Sequence, residues 1–136
     1  GAGPGGASLA RWLCAGPGAA APPQLPEPEF HRVADEMLES LMDAVAPLED
    51  VEEEVDVNNA QGVLTINLGP KGTWVINKQT PNRQIWWSSP HSGPRRYELD
   101  AAAGVWLCTR GGEGHLLSHL LAELRTVSDA CLEEGE

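Results

Sequence analysis

Asp35, Glu39 and Asp43 stand four residues apart, with Glu36 beside the first. On a helix such residues share a face at roughly 5–6 Å spacing. The row therefore places carboxylates that repel one another where a bound cation would relieve them. Carboxylate oxygens accept hard cations, but the sequence builds no cage: it has no facial triad of two histidines and a carboxylate, and no Glu-x-x-His pair. Cation binding by this row would be weak and unselective, and a solvated polar helix face is the alternative. His115 and His119 are also four apart, with no third ligand evident, and read as structural or solvent-facing.

A second set of residues lies in NRQIWWSS, residues 82–89. Neighbours in a strand point to opposite faces, so Trp86 and Trp87 cannot share one core. Ile85 shares a face with Trp87, and Gln84 with Trp86. The apolar partner marks the interior, so Trp87 is expected inside and Trp86 outside. An exposed Trp can bury on the order of 150–250 Å2 in a partner, and aromatic and Arg side chains are enriched among binding hot spots. Alternatively, Trp86 lies against Arg95 or Arg96 as a cation–π stack.

Other chemistries find no support. No nucleophile–base set, phosphate-cradling loop or organic-cofactor motif occurs. Three widely spaced cysteines, Cys14, Cys108 and Cys131, make a disulfide framework and a zinc site improbable and fit a reducing compartment. Cys108, in a strand, reads as a small buried hydrophobe. A net charge of −11 argues against a nucleic-acid partner. No stretch approaches the roughly 20 apolar residues of a membrane span.

The charge is segregated. Twelve of the twenty acids lie between Glu27 and Asp56, with Arg32 as the one base. From Val57 to Tyr97 there is no acid, but there are Lys71, Lys78, Arg83, Arg95 and Arg96. An acidic side and a basic side are expected, which can steer a charged partner.

The elements that must position these residues follow from periodicity. Residues 1–26, mostly Gly, Ala and Pro, cannot offset their ordering entropy. They read as a disordered targeting remnant or a linker. A helix is expected over 28–48, with Phe30, Val33, Ala34, Met37, Leu38, Leu41 and Val45 at steps of three and four, ending near Ala46 because of Pro47. Six strands follow, at 52–58, 63–68, 73–78, 83–89, 95–99 and 104–108. Most of the joins between them contain Gly, Pro or Asn, and connections this short make neighbours antiparallel. A second helix is expected over about 114–127, with Leu116, Leu117, Leu120, Leu121 and Leu124 on one stripe. A domain over 27–128 and a frayed tail over 129–136 complete the reading. The fold class is α+β, a two-layer sandwich with both helices on one face of the sheet and the other face left to solvent.

The stretch WVINKQTPNRQIWWSSPHSGPRRY, with the flanking GVLTINLGPKGT, closely resembles the central sheet of the frataxin family. The resemblance covers about residues 28–127. It implies the same two-layer fold and a mitochondrial matrix protein that promotes iron–sulfur cluster assembly. The implied partners are a cysteine desulfurase complex and its scaffold protein, with ferrochelatase a further candidate. Iron (Fe2+/Fe3+) would be weakly bound, with ferroxidase activity as credited to the family; a monomer is expected. Position by position, the resemblance assigns partner contacts to Asn77, Gln79, Gln84, Trp86, Arg95 and Arg96. It assigns the acidic, metal-binding ridge to Asp35, Glu36, Glu39, Asp43, Glu53, Glu54 and Asp56. Ala46 and Pro47 stand where the family carries further acids, and His31 stands in place of another. These departures touch the ridge and leave the tryptophan face intact.

Overall fold

The computed structural model describes residues 24–134. The expectation for the N-terminal segment therefore lies, through residue 23, outside the described residues, as does Cys14.

Helix α1 spans Glu27–Ala44. Pro28 occupies its first turn, where a missing N–H costs nothing, and Glu27 and Glu29 complement the positive end of the helix. Its inner stripe, Phe30, Ala34, Leu38 and Leu41, is buried. The helix stops two residues before the expected end. The Ala46 N–H turns to the Asp43 carbonyl at 3.3 Å, tightening the last turn ahead of Pro47. The chain then makes one more helical turn, α2, Leu48–Val51.

Six strands follow: β1 Asp56–Ala60, β2 Val63–Asn67, β3 Thr73–Gln79, β4 Gln84–Ser89, β5 Gly93–Asp100 and β6 Val105–Cys108. They form a single antiparallel sheet in sequence order. The β1–β2 turn places Gln61 at φ 54° and Gly62 at φ 78°. Two positive φ values define the turn type whose twist matches a two-residue hairpin. β1 begins four residues later than expected. Glu52 is held outside the sheet, its carboxylate accepting from Lys71 Nζ at 2.7 Å and from the Ser128 hydroxyl at 2.7 Å.

Alternation places Leu64, Ile66, Trp74, Ile76, Ile85, Trp87, Tyr97 and Trp106 on one face, all buried. α1 lies over β1, β2 and β3, and helix α3, Leu116–Val127, packs against β6. α3 starts in a capping box: the His115 ring accepts the Ser118 N–H, and the Ser118 hydroxyl accepts the His115 N–H at 2.8 Å. His119 reaches the sheet, its Nδ1 lying 2.7 Å from the Tyr97 hydroxyl. Both histidines are thus structural. Cys108 is half-buried against the core, and Cys131 is exposed.

The frayed tail expected over 129–136 needs correction for its described part. Ala130 and Leu132 are 7% and 3% exposed and belong to the core. The Arg125 side chain donates to the Leu132 carbonyl at 3.0 Å, and the Ser128 hydroxyl accepts the Ala130 N–H at 3.1 Å. Two apolar residues two apart share one face of extended chain, a signal too short to register as periodicity.

Candidate functional site

The bare face of the sheet gathers most of the expected partner-contacting residues. Asn77, Trp86 and Arg96 lie directly opposite one another across β3, β4 and β5. Gln79, Gln84 and Glu98 form the next row. Trp86 is half-buried, in contrast to Trp87 at 2%. The Arg96 guanidinium sits 4.6 Å from the Trp86 ring centroid. The Trp86 indole N–H donates to the Gln84 side-chain oxygen at 2.8 Å. Trp86 is therefore both accessible and fixed, on its face by a cation and on its edge by an amide. The stack with Arg96 and an outward-facing Trp, posed as alternatives from sequence, coexist. Leu107, 38% exposed, extends the patch beside Glu98.

Arg95 is on the other side. It pairs with Trp87 across the strands, lies 5.5 Å from that ring, and approaches Glu123 of α3 at 3.9 Å. It does not join the Trp86 patch. The alternation that separated Trp86 from Trp87 also separates Arg95 from Arg96, so the signal was present in the sequence.

Glu123 organises this inner edge. It accepts from the Trp74 indole at 3.0 Å and the Ser89 hydroxyl at 2.6 Å. Burial pushes its carboxyl up, but hydrogen bonds from Ser89, Ser92 and Trp74 and the charge of Arg95 outweigh it and hold the group below its ordinary 4.5. Glu52 is likewise held low, chiefly by the Lys71 hydrogen bond and then by Ser128. The Tyr97 hydroxyl is raised above 10.0, mainly by burial, against the lowering effect of Arg95.

The acidic ridge is present but partly engaged. Asp35, Glu36, Glu39 and Asp43 are exposed on α1. Asp35 accepts from Lys78 Nζ at 2.8 Å, and Glu36 pairs with Arg32 at 3.4 Å. Arg32 also binds Glu29. Glu53, Glu54 and Asp56 are exposed ahead of and at the start of β1. Among the described residues, no group of three or more His, Cys, Asp or Glu side chains is placed to hold a metal ion. The expected separation into acidic and basic sides is softened, since Lys71 and Lys78 reach across to Glu52 and Asp35. A cleft of about 700 Å3, which sequence reasoning missed, opens between α1, β6 and the tail. It is lined by Met37, Asp43, Trp106, Leu117 and Cys131 and lies apart from the Trp86 patch.

Fold and surface together define a two-layer α/β sandwich whose open sheet face carries Trp86 held by Arg96 and Gln84, with an acidic flank on α1. A family model described as a frataxin-like domain matches residues 23–130, and the chain belongs to that family. It is 50% identical over 100 residues to the mitochondrial frataxin homolog of Schizosaccharomyces pombe, covering 70% of this chain and 61% of that protein. It is 47% identical over 103 residues to the mitochondrial frataxin of Caenorhabditis elegans, covering 73% and 74%. The match to the Dictyostelium discoideum mitochondrial frataxin is 49% identical and spans only 44% of that protein. Among solved structures, yeast frataxin superposes with a TM-score of 0.62 at 35% identity, covering 79% of this chain and 94% of that one. A trimeric frataxin from Saccharomyces cerevisiae, complexed with ferrous iron, superposes at 0.55 with 34% identity over 80% and 91% of the two chains. Among the described residues no helix is long and apolar enough to cross a membrane.

Proposed function

We propose that the chain promotes iron–sulfur cluster assembly in the mitochondrial matrix by docking its open sheet face on a cysteine desulfurase–scaffold complex and speeding sulfur transfer to the scaffold. Family membership supports an iron-related role, and the relatives' names support a mitochondrial setting. The observation that carries the docking reading is Trp86, held outward on a central strand between Arg96 and Gln84. An aromatic fixed before contact loses little rotamer freedom on binding. Acceleration then requires that Trp86, Arg96, Asn77 and Gln79 bind the transfer-competent state of the complex more tightly than its resting state.

Iron enters as cargo. The exposed carboxylates of α1 and of the approach to β1 form a hard-oxygen surface in high dielectric, suited to weak, exchangeable binding. A second reading makes iron handling the main role, as ferroxidase, chaperone or store, with ferrochelatase as a recipient. The yeast frataxin complexed with ferrous iron favours it.

The test is cluster-forming turnover by a reconstituted desulfurase–scaffold complex at fixed iron. The unmodified chain stimulates, Trp86→Ala does not, and iron binding is the same for both. If Trp86→Ala stimulates fully while Asp35, Glu39 and Asp43 changed to Asn or Gln lose function, iron handling replaces docking.

A further inference from the structure

Gln84 is a polar side chain on the open face that is nevertheless only 9% exposed. Its two ends are both committed. Its oxygen accepts the Trp86 indole N–H at 2.8 Å, and its nitrogen donates to a Glu98 carboxylate oxygen at 2.8 Å. Glu98 stands directly opposite Gln84 on β5, and Trp86 is two residues along β4 on the same face.

The chemistry of the two partners fixes the amide. An indole N–H can only donate, and a carboxylate can only accept. One orientation of the amide serves both; the flipped one sets donor against donor at the indole and acceptor against acceptor at Glu98. Glu98 is exposed and can be rehydrated, but Gln84 is buried, so a flipped amide would face two mismatched partners with little water to replace them.

We propose that Glu98 is a positioning residue for Trp86. Its carboxylate sets the Gln84 amide, and the amide sets the indole against which Arg96 stacks. The inference deepens the docking reading, because it identifies what holds the anchor ready in the free protein. Glu98 itself need touch no partner.

The relay makes a polarity prediction. In Glu98→Lys the group opposite Gln84 donates, so the amide turns its oxygen to the ammonium and the indole N–H loses its acceptor. In Glu98→Gln the new side-chain oxygen still accepts, and the relay survives. In the double variant Gln84→Glu with Glu98→Lys, the new carboxylate at 84 accepts from both the ammonium and the indole, and the relay is rebuilt with reversed charge.

The experiment follows the indole N–H resonances of the full chain by NMR, with their exchange against solvent. Trp74 and Trp87 are internal controls, since their indoles bond to Glu123 and Ser92 and report an intact fold. In Glu98→Lys the Trp86 resonance should move toward the position of a free indole and exchange about five- to tenfold faster, the equivalent of one ordinary hydrogen bond. Glu98→Gln and the double variant should restore it. An unchanged Trp86 resonance in Glu98→Lys with the controls in place overturns the proposal. So does a double variant that folds and fails to restore it. If Glu98→Lys disturbs the controls, Gln84→Leu is expected to free the Trp86 indole alone, and a Trp86 signal unmoved there also overturns the relay. Stimulation of the desulfurase–scaffold complex is measured on the same variants and should fall and recover in parallel. If Trp86→Ala has no effect in that assay, the docking reading fails, while the spectra still judge the relay.

Discussion

Arg95 and Arg96 are neighbours in β5, yet they stack on different tryptophans, 5.5 Å from Trp87 and 4.6 Å from Trp86. Their substitutions should therefore read out differently. Arg96→Ala removes an exposed stack worth about 0.5 kcal/mol of stability, so the melting temperature should fall by only about 2 °C. Its cost should appear in titration of the partner complex, as a loss of at least about tenfold in affinity typical of a hot spot. Arg95→Ala removes a partly buried cation from beside Glu123. It should leave partner affinity intact and lower the melting temperature by about 4 °C, as expected for roughly 1 kcal/mol in a domain of this size. Equal effects of both substitutions on binding would mean that the partner also grips the edge next to α3.

At the scale of elements, the turns decide how the strands meet. Gly72, after the short 3-10 turn Gly69–Lys71, has φ 120°, and a Cβ there would lie 2.6 Å from the Pro90 side chain in the β4–β5 loop. Gly72→Ala should destabilise by about 1–3 kcal/mol through backbone strain and overlap, measurable by chemical denaturation with the denaturant dependence unchanged. Much of this level was legible beforehand. Period-two alternation in VLTINL and TWVINK sets Leu64, Ile66, Trp74 and Ile76 on the apolar side of their strands, and all four are buried. What escaped depends on contacts distant in sequence. The Gln84–Glu98 pairing rests on the register of β4 against β5, which the turn sets. The late start of β1 depends on Glu52 finding Lys71 and Ser128, the latter at the far end of the domain. The packed tail rests on two residues, Ala130 and Leu132, whose role exists only once a core is present to receive them. Arg95 is different: the resemblance grouped it with Arg96 on the partner surface, although strand alternation puts the two neighbours on opposite faces and Arg95 lies beside Trp87.

For the molecule as a whole, stability should be bounded on both sides of neutral pH. Glu52 and Glu123 have carboxyls lowered in the folded state. Each binds its proton more tightly when unfolded, so its contribution is present above about 4.5 and is lost as pH falls through the lowered folded value. Tyr97 is raised above 10.0. The folded state keeps that proton longer, so its contribution is present below 10 and disappears as pH rises through the raised value. Melting temperature against pH should therefore be flat across neutrality and fall at both ends. Glu123→Gln should flatten the acid limb, and Tyr97→Phe the alkaline one.

The sheet order, with each strand beside its sequence neighbour, also governs how the chain reaches this state. Every strand pairing can zip from an adjacent turn, so no hairpin waits for a distant segment to diffuse into place. The expected slow step is the closure of α1 and α3, which pack over opposite parts of the sheet from the two sides of the strand run. Mixed α/β domains of this kind fold between the microsecond helical bundles and the slower all-β barrels, on the order of milliseconds. Substitutions such as Phe30→Ala or Leu124→Ala, under the helices, should slow folding if closure is the barrier. Changes in the β1–β2 turn, which forms before closure, should slow folding and leave the unfolding rate nearly unchanged. Stopped-flow rates for the two classes of variant would show which contacts exist at the summit.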